Sequence, residues 1–138
     1  MTHSIYPALR FKENAKAALE WYCSIFQNSQ IIKEHDTVVK AKFAGVPFVG
    51  INGGSPFTTN PSISFIVIFE NHSEIDYYWK EITSHGTEDW CSWCKDKLGI
   101  SWQIVPKNLW KILNNNPYAL DVIFKMKKLV INGLIQAQ

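Results

Sequence analysis

The feature of this 138-residue sequence that most limits its fold is a pattern that occurs twice along the chain. Phe11 precedes Trp21 by ten positions, and Phe69 precedes Trp79 by the same ten. The dipeptide Glu-Asn also follows the predicted strand in each half. A pattern repeated in this way indicates an internal duplication, in which two similar units build the fold.

The first half, residues 4–54, predicts a strand, a helix and three short strands. Ser4–Phe11 alternates between two faces, and residues 14–26 carry apolar side chains at helical spacing with Asn14 as the N-cap. The β-rich runs QIIKEH, VVKAKF and PFVGIN follow, with Gly45 at one turn. Residues 55–61 are polar, contain two prolines and form the predicted linker.

The second half, residues 62–106, predicts a similar order. SISFIVIFE reads as a strand, and a helix follows with a capping box formed by Ser73 and Asp76 and with Gly86 as its C-cap. EDWCSWC is predicted to be extended, and ISWQIVP is the last strand. Residues 107–138 predict C-terminal helices, LWKILNN and then 117–135, with the KMKK run on a solvated helix face. The fold class is therefore α+β.

Composition argues against two classes of partner and indicates a cellular location. The formal charge is +2, with 14 basic and 12 acidic residues and no basic stripe, which predicts no nucleic-acid partner. No apolar stretch approaches the ~18 residues that span a bilayer, so no membrane association is expected. An odd count of three cysteines, with no leader-like N-terminus, favours a cytoplasmic protein.

Four stretches of the sequence are distinctive: LRFKENAKAALEWYCSIFQNS, NGG, SISFIVIFENHSEIDYYWKEI and above all CSWCKDKLGISWQIVP. Together they resemble the PhnB-like proteins of the vicinal-oxygen-chelate superfamily, which also includes glyoxalase I and the fosfomycin-resistance enzymes. The resemblance runs from about Tyr6 to Leu134. It implies paired βαβββ modules that form a cupped mixed sheet around a pocket, and a homodimer. One departure is a first module whose loop between the second and third strands is shortened to HDT.

The resemblance also implies a divalent metal held by His, Glu or Gln side chains, and each ligand position can be carried over. The four positions fall on Tyr6 (or Pro7), near Asn52, and on Ser62 and Gln103. None of these residues supplies a carboxylate or an imidazole, so the set is too weak to hold a catalytic divalent ion. The four histidines lie in the N-terminal tail, at a strand end and beside the second helix. The sequence therefore predicts no metal and no other cofactor.

Strand alternation predicts which side chains face the pocket. Phe48, Gly50 and Asn52 of the fourth strand are placed on this inner face. The candidate ligand-binding residues are polar or aromatic: Tyr6, Arg10, Asn52, Ser62, Ser64, Trp93, Ser101 and Gln103. Arg10 either pairs with an anionic group of a ligand or makes a salt bridge to a surface acid such as Glu13. Leu9, Phe11, Phe65, Val67, Trp102 and Ile104 are placed under the helices.

A polar and aromatic pocket of this kind suits a small organic molecule. The predicted function is metal-free binding of such a molecule, without catalytic residues. The alternatives are a metal-dependent lyase, isomerase or transferase of the vicinal-oxygen-chelate type, and a non-catalytic dimeric scaffold. Some PhnB-like proteins are labelled 3-demethylubiquinone 3-methyltransferases, but this sequence has no glycine-rich strand–loop–helix for S-adenosylmethionine.

Cys91 and Cys94 form a Cys-x-x-Cys pair that resembles a zinc or redox motif. A zinc site usually needs a second pair or nearby histidines, and neither is present. Residues three apart on a strand point to opposite faces, so the two sulfurs are not expected to meet. The stretch therefore predicts a hairpin that closes the second module, and Gln103 is its most functional residue.

Overall fold

A computed structural model describes residues 3–54 and 58–135. The predicted linker therefore lies partly outside the described residues, and the last three residues lie wholly outside them. The chain divides into two compact units, residues 1–57 and 58–138. Each unit contains one four-stranded mixed sheet, and the strand order of the two sheets is the same. The duplication that the spacing predicts is therefore a duplication of topology.

The first unit runs β1 (Ala8–Phe11), α1 (Ala15–Ile25), β2 (Gln30–Glu34), β3 (Val38–Phe43) and β4 (Val46–Asn52). Its strand order is β1-β4-β3-β2, with β1 parallel to β4 and the other pairs antiparallel. The predicted elements are confirmed, although β1 begins four residues later than expected. The apolar face of α1 covers one side of the sheet and is buried there: Ala15, Ala18, Leu19, Tyr22 and Ile25.

The predicted inner-face position of Phe48, Gly50 and Asn52 is wrong. Gly50 pairs with Leu9 and Asn52 pairs with Phe11, so these residues lie on the α1 side of the sheet. A Cβ at Gly50 would stand 3.0 Å from Leu19 Cδ1, which shows how closely the helix approaches. Alternation defines two faces but not which one the helix covers, and here the helix covers the glycine side.

Asn52 consequently has a structural role. Its Oδ1 accepts a hydrogen bond from the backbone N–H of Ala15 at 2.8 Å, and its Nδ2 donates to the carbonyl of Asp36 at 3.1 Å. Asn14, the predicted N-cap of α1, makes no side-chain capping bond. The cap of this helix therefore comes from the end of β4.

The second unit runs β5 (Ser64–Phe69), α2 (His72–Thr83), β6 (Thr87–Glu88), β7 (Trp93–Lys95) and β8 (Ser101–Pro106). The order β5-β8-β7-β6 repeats the first sheet, and β5 is parallel to β8. The buried residues of α2 are Ile75, Trp79 and Ile82, as its spacing predicts. Each unit thus contains one βαβββ module, and the α+β fold is confirmed.

The capping box of α2 is shifted from its predicted place. Asn71 is the N-cap: its side chain accepts from the Glu74 backbone N–H at 3.1 Å, and the Glu74 carboxylate accepts from the Asn71 N–H in return. The helix ends at Thr83 with Ser84 as its C-cap, so Gly86 does not cap it. Asn and Glu form the same reciprocal box as the predicted Ser and Asp.

The C-terminal segment contains α3 (Leu109–Asn115), α4 (Ala119–Ile123) and α5 (Ile131–Ile135). The helix predicted over 117–135 is therefore wrong, because it breaks at the KMKK run. The carbonyls of Met126 and Lys127 accept from the backbone N–H groups of Cys91 and Ser92 at 2.8 and 3.0 Å, instead of continuing a helix. A small apolar cluster holds the segment together: Val105, Ile112, Ala119, Ile123, Leu129 and Leu134. Within the described ranges, none of the helices has the length and apolar character needed to cross a membrane.

Candidate functional site

The side of the second sheet that faces away from α2, called the open face, collects half of the predicted site residues. Strand register sets its side chains in rows across neighbouring strands. One row is Ser64 of β5, Ser101 of β8 and Lys95 of β7, and the next is Ile66, Gln103 and Trp93 in the same strand order. Ile68 and Val105 follow on the same side of the sheet, where Ile68 is exposed and Val105 is buried in the C-terminal apolar cluster. Polar and apolar groups therefore lie side by side on one surface.

The polar part of the open face is built around Gln103. Its Nε2 donates a hydrogen bond to Ser64 Oγ at 2.8 Å, which joins the two rows. Ser101 is only 2% exposed, and its Oγ has no hydrogen-bond partner among the residues that the structure describes. A buried hydroxyl left unpaired costs about 1–3 kcal/mol, so this atom marks a place where an acceptor or donor is missing.

The apolar part of the open face is more accessible. Ile66 and Ile68 are 57% and 64% exposed, and Trp93 is half-buried beside Gln103. An indole and branched aliphatic side chains next to hydrogen-bonding groups can hold the hydrophobic body of a small molecule while the polar groups orient it.

Ser64, Trp93, Ser101 and Gln103 are thus brought together in the second unit. Ser62 is not on the strand: it lies in an exposed turn before β5, where its backbone N–H and its hydroxyl bond to Asn60 Oδ1. The Ser62 position therefore does not contribute to the open face.

Tyr6 and Arg10 belong to the first unit. Tyr6 precedes β1, and Lys40 Nζ lies 4.8 Å from the centre of its ring. Arg10 pairs with Ile51 on the face away from α1, and its guanidinium lies against Gly53. Their predicted part in ligand binding stays a prediction.

Lys95 is the residue on the open face that the sequence interpretation missed. It is half-buried and lies directly opposite Ser101. The sequence does contain the signal for this placement. Lys95 follows Trp93 by two positions on one strand, so the two side chains must share a face.

The positions at which the resemblance places metal ligands do not fit a divalent ion. Asn52 faces α1, Ser62 lies in a turn, and Gln103 bonds to a serine. Over residues 3–54 and 58–135, no group of three His, Cys, Asp or Glu side chains is placed to hold a metal. Neutral amide and hydroxyl oxygens alone are poor partners for a catalytic transition metal.

The Cys-x-x-Cys stretch is not extended as predicted. Cys91 and Ser92 both adopt left-handed backbone conformations, with φ of 62° and 71°, in a turn between β6 and β7. Cys91 packs against the C-terminal apolar cluster, whereas Cys94 pairs with Trp102 on the α2 side of the sheet. Burial raises the pKa of both thiols, that of Cys94 to about 12. A neutral thiol that is buried, as in Cys94, or partly buried, as in Cys91, is poorly suited to metal binding or disulfide exchange.

The raised pKa of Cys94 gives a direct prediction. In folded protein at pH 7.5, iodoacetamide should alkylate Cys94 at least ~100-fold more slowly than the same cysteine in urea, because the thiolate is the nucleophile. The unfolded Cys94 thiol ionises near its ordinary pKa of 9.0, whereas the pKa of the folded thiol is about 12. The free energy of unfolding should therefore fall as pH rises between these two values. Peptide mass spectrometry after timed alkylation measures both rates. Equal rates in the two states would contradict the assignment.

Two sheets with one strand order, each made by a βαβββ unit, define a protein of the glyoxalase-like, vicinal-oxygen-chelate class. The family model described as 3-demethylubiquinone-9 3-methyltransferase matches residues 3–105. The chain belongs to this family, which confirms the PhnB-like resemblance. Residues 106–138, with the three C-terminal helices, lie beyond the matched region.

Solved structures agree with this assignment. The chain is 25% identical to a putative 3-demethylubiquinone-9 3-methyltransferase, PhnB protein, from Bacillus cereus, with a TM-score of 0.69 over 75% of this chain and 99% of that one. Protein PA1353 from Pseudomonas aeruginosa is 12% identical, with a TM-score of 0.62 over 76% and 98% of the two chains. The fosfomycin resistance protein FosX from Listeria monocytogenes, complexed with Mn(II) and sulfate, is 16% identical, with a TM-score of 0.58 over 83% and 98%. No curated protein matches the sequence.

Proposed function

We propose that this protein binds a small organic molecule on the open face of its second sheet without the help of a metal ion. The observation that carries the proposal is the hydrogen bond from Gln103 to Ser64, beside Trp93 and next to the unpaired hydroxyl of Ser101. A few hydrogen-bonding groups set against an aromatic wall are typical of sites for small organic ligands.

The same residues favour binding over catalysis. The open face, as far as it is described, has no carboxylate, imidazole or thiol, which are the usual general acids, bases and nucleophiles. Gly53 and Gly54 follow β4 rather than opening a helix, so they do not form a phosphate-binding strand–loop–helix. The family description names a methyltransferase, but nothing in this geometry supports methyl transfer.

A dimeric scaffold is a second candidate, favoured by exposed isoleucines on and before β5. Ile63, Ile66 and Ile68 are 72%, 57% and 64% exposed, and such side chains are often covered by a partner. The expected homodimer, the cytoplasmic location and the lack of nucleic-acid and membrane partners stay proposals.

A thermal-shift screen with a metal analysis tests the binding proposal. A small aromatic metabolite present at ~100 times its dissociation constant should raise the free energy of unfolding by roughly 2.7 kcal/mol. The shift should fall in Gln103→Met and persist in Gln27→Met, a matched change at an exposed position. Protein purified without chelators or a His-tag should contain well under one equivalent of Zn, Mn, Ni or Fe.

Two results would overturn the proposal. One is the absence of any ligand-dependent shift across a broad metabolite screen. The other is one equivalent of bound transition metal that is lost in Gln103→Met, which would instead support metal-dependent chemistry.

A further inference from the structure

The row formed by Ser64, Ser101 and Lys95 holds hydrogen-bond donors for which the described residues provide no acceptor. The Ser64 hydroxyl accepts from Gln103, so its own proton remains to be donated. The Ser101 Oγ is buried without a partner. Because adjacent strands lie ~4.8 Å apart, the three side chains start within about 10 Å of one another.

Lys95 brings the positive charge of this row. Two acids close to it in sequence, Glu88 and Asp96, bond on the α2 side of the sheet. Glu88 accepts from Trp79 Nε1 at 2.6 Å, and Asp96 accepts from Trp102 Nε1 at 2.9 Å. Within the described part of the chain, no carboxylate forms an ion pair with Lys95. A half-buried lysine next to the unpaired Ser101 hydroxyl is a set of donors that lacks an anion.

We propose that this row binds an anionic oxygen group of the ligand, a carboxylate in the simplest case. Lys95 and Ser101 donate to the anion, Ser64 donates from the next strand, and the body of the ligand lies over Ile66 and Trp93. Since the Ser101 hydroxyl is enclosed, a neighbouring side chain must move before the anion reaches it. This inference rests on the proposed function and narrows it to amphiphilic organic acids.

Benzoate and its neutral isostere benzamide test the charge requirement on one scaffold. We expect the full chain to bind benzoate at least ~10-fold more tightly than benzamide in an NMR titration, because charge-assisted hydrogen bonds are about twice as strong as neutral ones. Lys95→Met, which keeps the aliphatic length, should remove that preference by weakening benzoate binding more than benzamide binding. Ser101→Ala should weaken benzoate ~3- to 10-fold.

Lys125→Met is the matched control, because Lys125 is an exposed lysine in the C-terminal segment, and both affinities should stay unchanged. Equal binding of benzoate and benzamide by the unmodified chain would overturn the anion row and leave the proposed function standing. The same holds if Lys95→Met keeps the benzoate preference. Binding of neither probe at millimolar concentration would also overturn the row, whereas the proposed function falls only if the broader screen gives no shift.

Discussion

Replacing Asp96 with alanine should lower the free energy of unfolding by about 3–5 kcal/mol, because several hydrogen-bond donors would lose their acceptor. Asp96 is 3% exposed in the turn between β7 and β8. Its Oδ1 accepts from the backbone N–H groups of Leu98 and Ile100 at 2.8 and 3.1 Å. Its Oδ2 accepts from Trp102 Nε1 at 2.9 Å, so one side chain fixes both the turn and the core indole.

Two further variants separate this mechanism from a simple loss of charge. Asp96→Asn keeps an acceptor and should cost less, about 1–2 kcal/mol. Asp89→Ala removes an exposed carboxylate that accepts from its neighbour Trp90, and should change stability by only about 0.5 kcal/mol. Urea unfolding followed by tryptophan fluorescence measures all three. The argument fails if Asp96→Ala and Asp89→Ala have the same midpoint.

The hydrogen bonds of Asp96 explain physically why Lys95–Pro106 is the most recognisable part of this sequence. The turn needs a short acidic side chain at 96 and a residue with φ of +85° at 99, where glycine has no steric penalty. Trp102 then reaches back to the same carboxylate. The sequence of this stretch resembles the PhnB-like family, but its role in stabilising the hairpin depends on contacts that no spacing rule predicts.

The secondary structure was largely predictable because its signals are local. Alternation and helical spacing located the main strands and the helices α1 to α3. The predicted C-terminal helix failed because Met126 and Lys127 bond to Cys91 and Ser92, which are far away in sequence. A tertiary contact of this kind overrides helix propensity, and sequence alone does not reveal it.

The candidate site was predictable only in part, since the direction of a face depends on packing. Ser64, Trp93, Ser101 and Gln103 do share the open face. Asn52 does not face away from its helix, because the close approach of α1 requires the Gly50 side of β4. The wrong face for Asn52 and the omission of Lys95 have the same origin. Which face of a strand points away from the helix depends on its register with neighbouring strands, and the pattern of one strand does not contain that information.

Gly86 offers the second large effect, and its cause is purely steric. A Cβ at this position would stand 2.1 Å from the carbonyl oxygen of Lys95 and 3.0 Å from the backbone carbon of Asp96. Because backbone atoms cannot move aside as a flexible side chain does, Gly86→Ala should destabilise the fold by about 2–4 kcal/mol. It should also shift β7 and so reduce any preference for benzoate that depends on Lys95.

Gly54→Ala is the matched control: its Cβ meets nothing within 4 Å, so only the left-handed φ of +46° adds a cost of about 1 kcal/mol. Thermal and urea unfolding of both variants measure the difference, and equal losses would show that the approach of β7 to Gly86 does not limit stability.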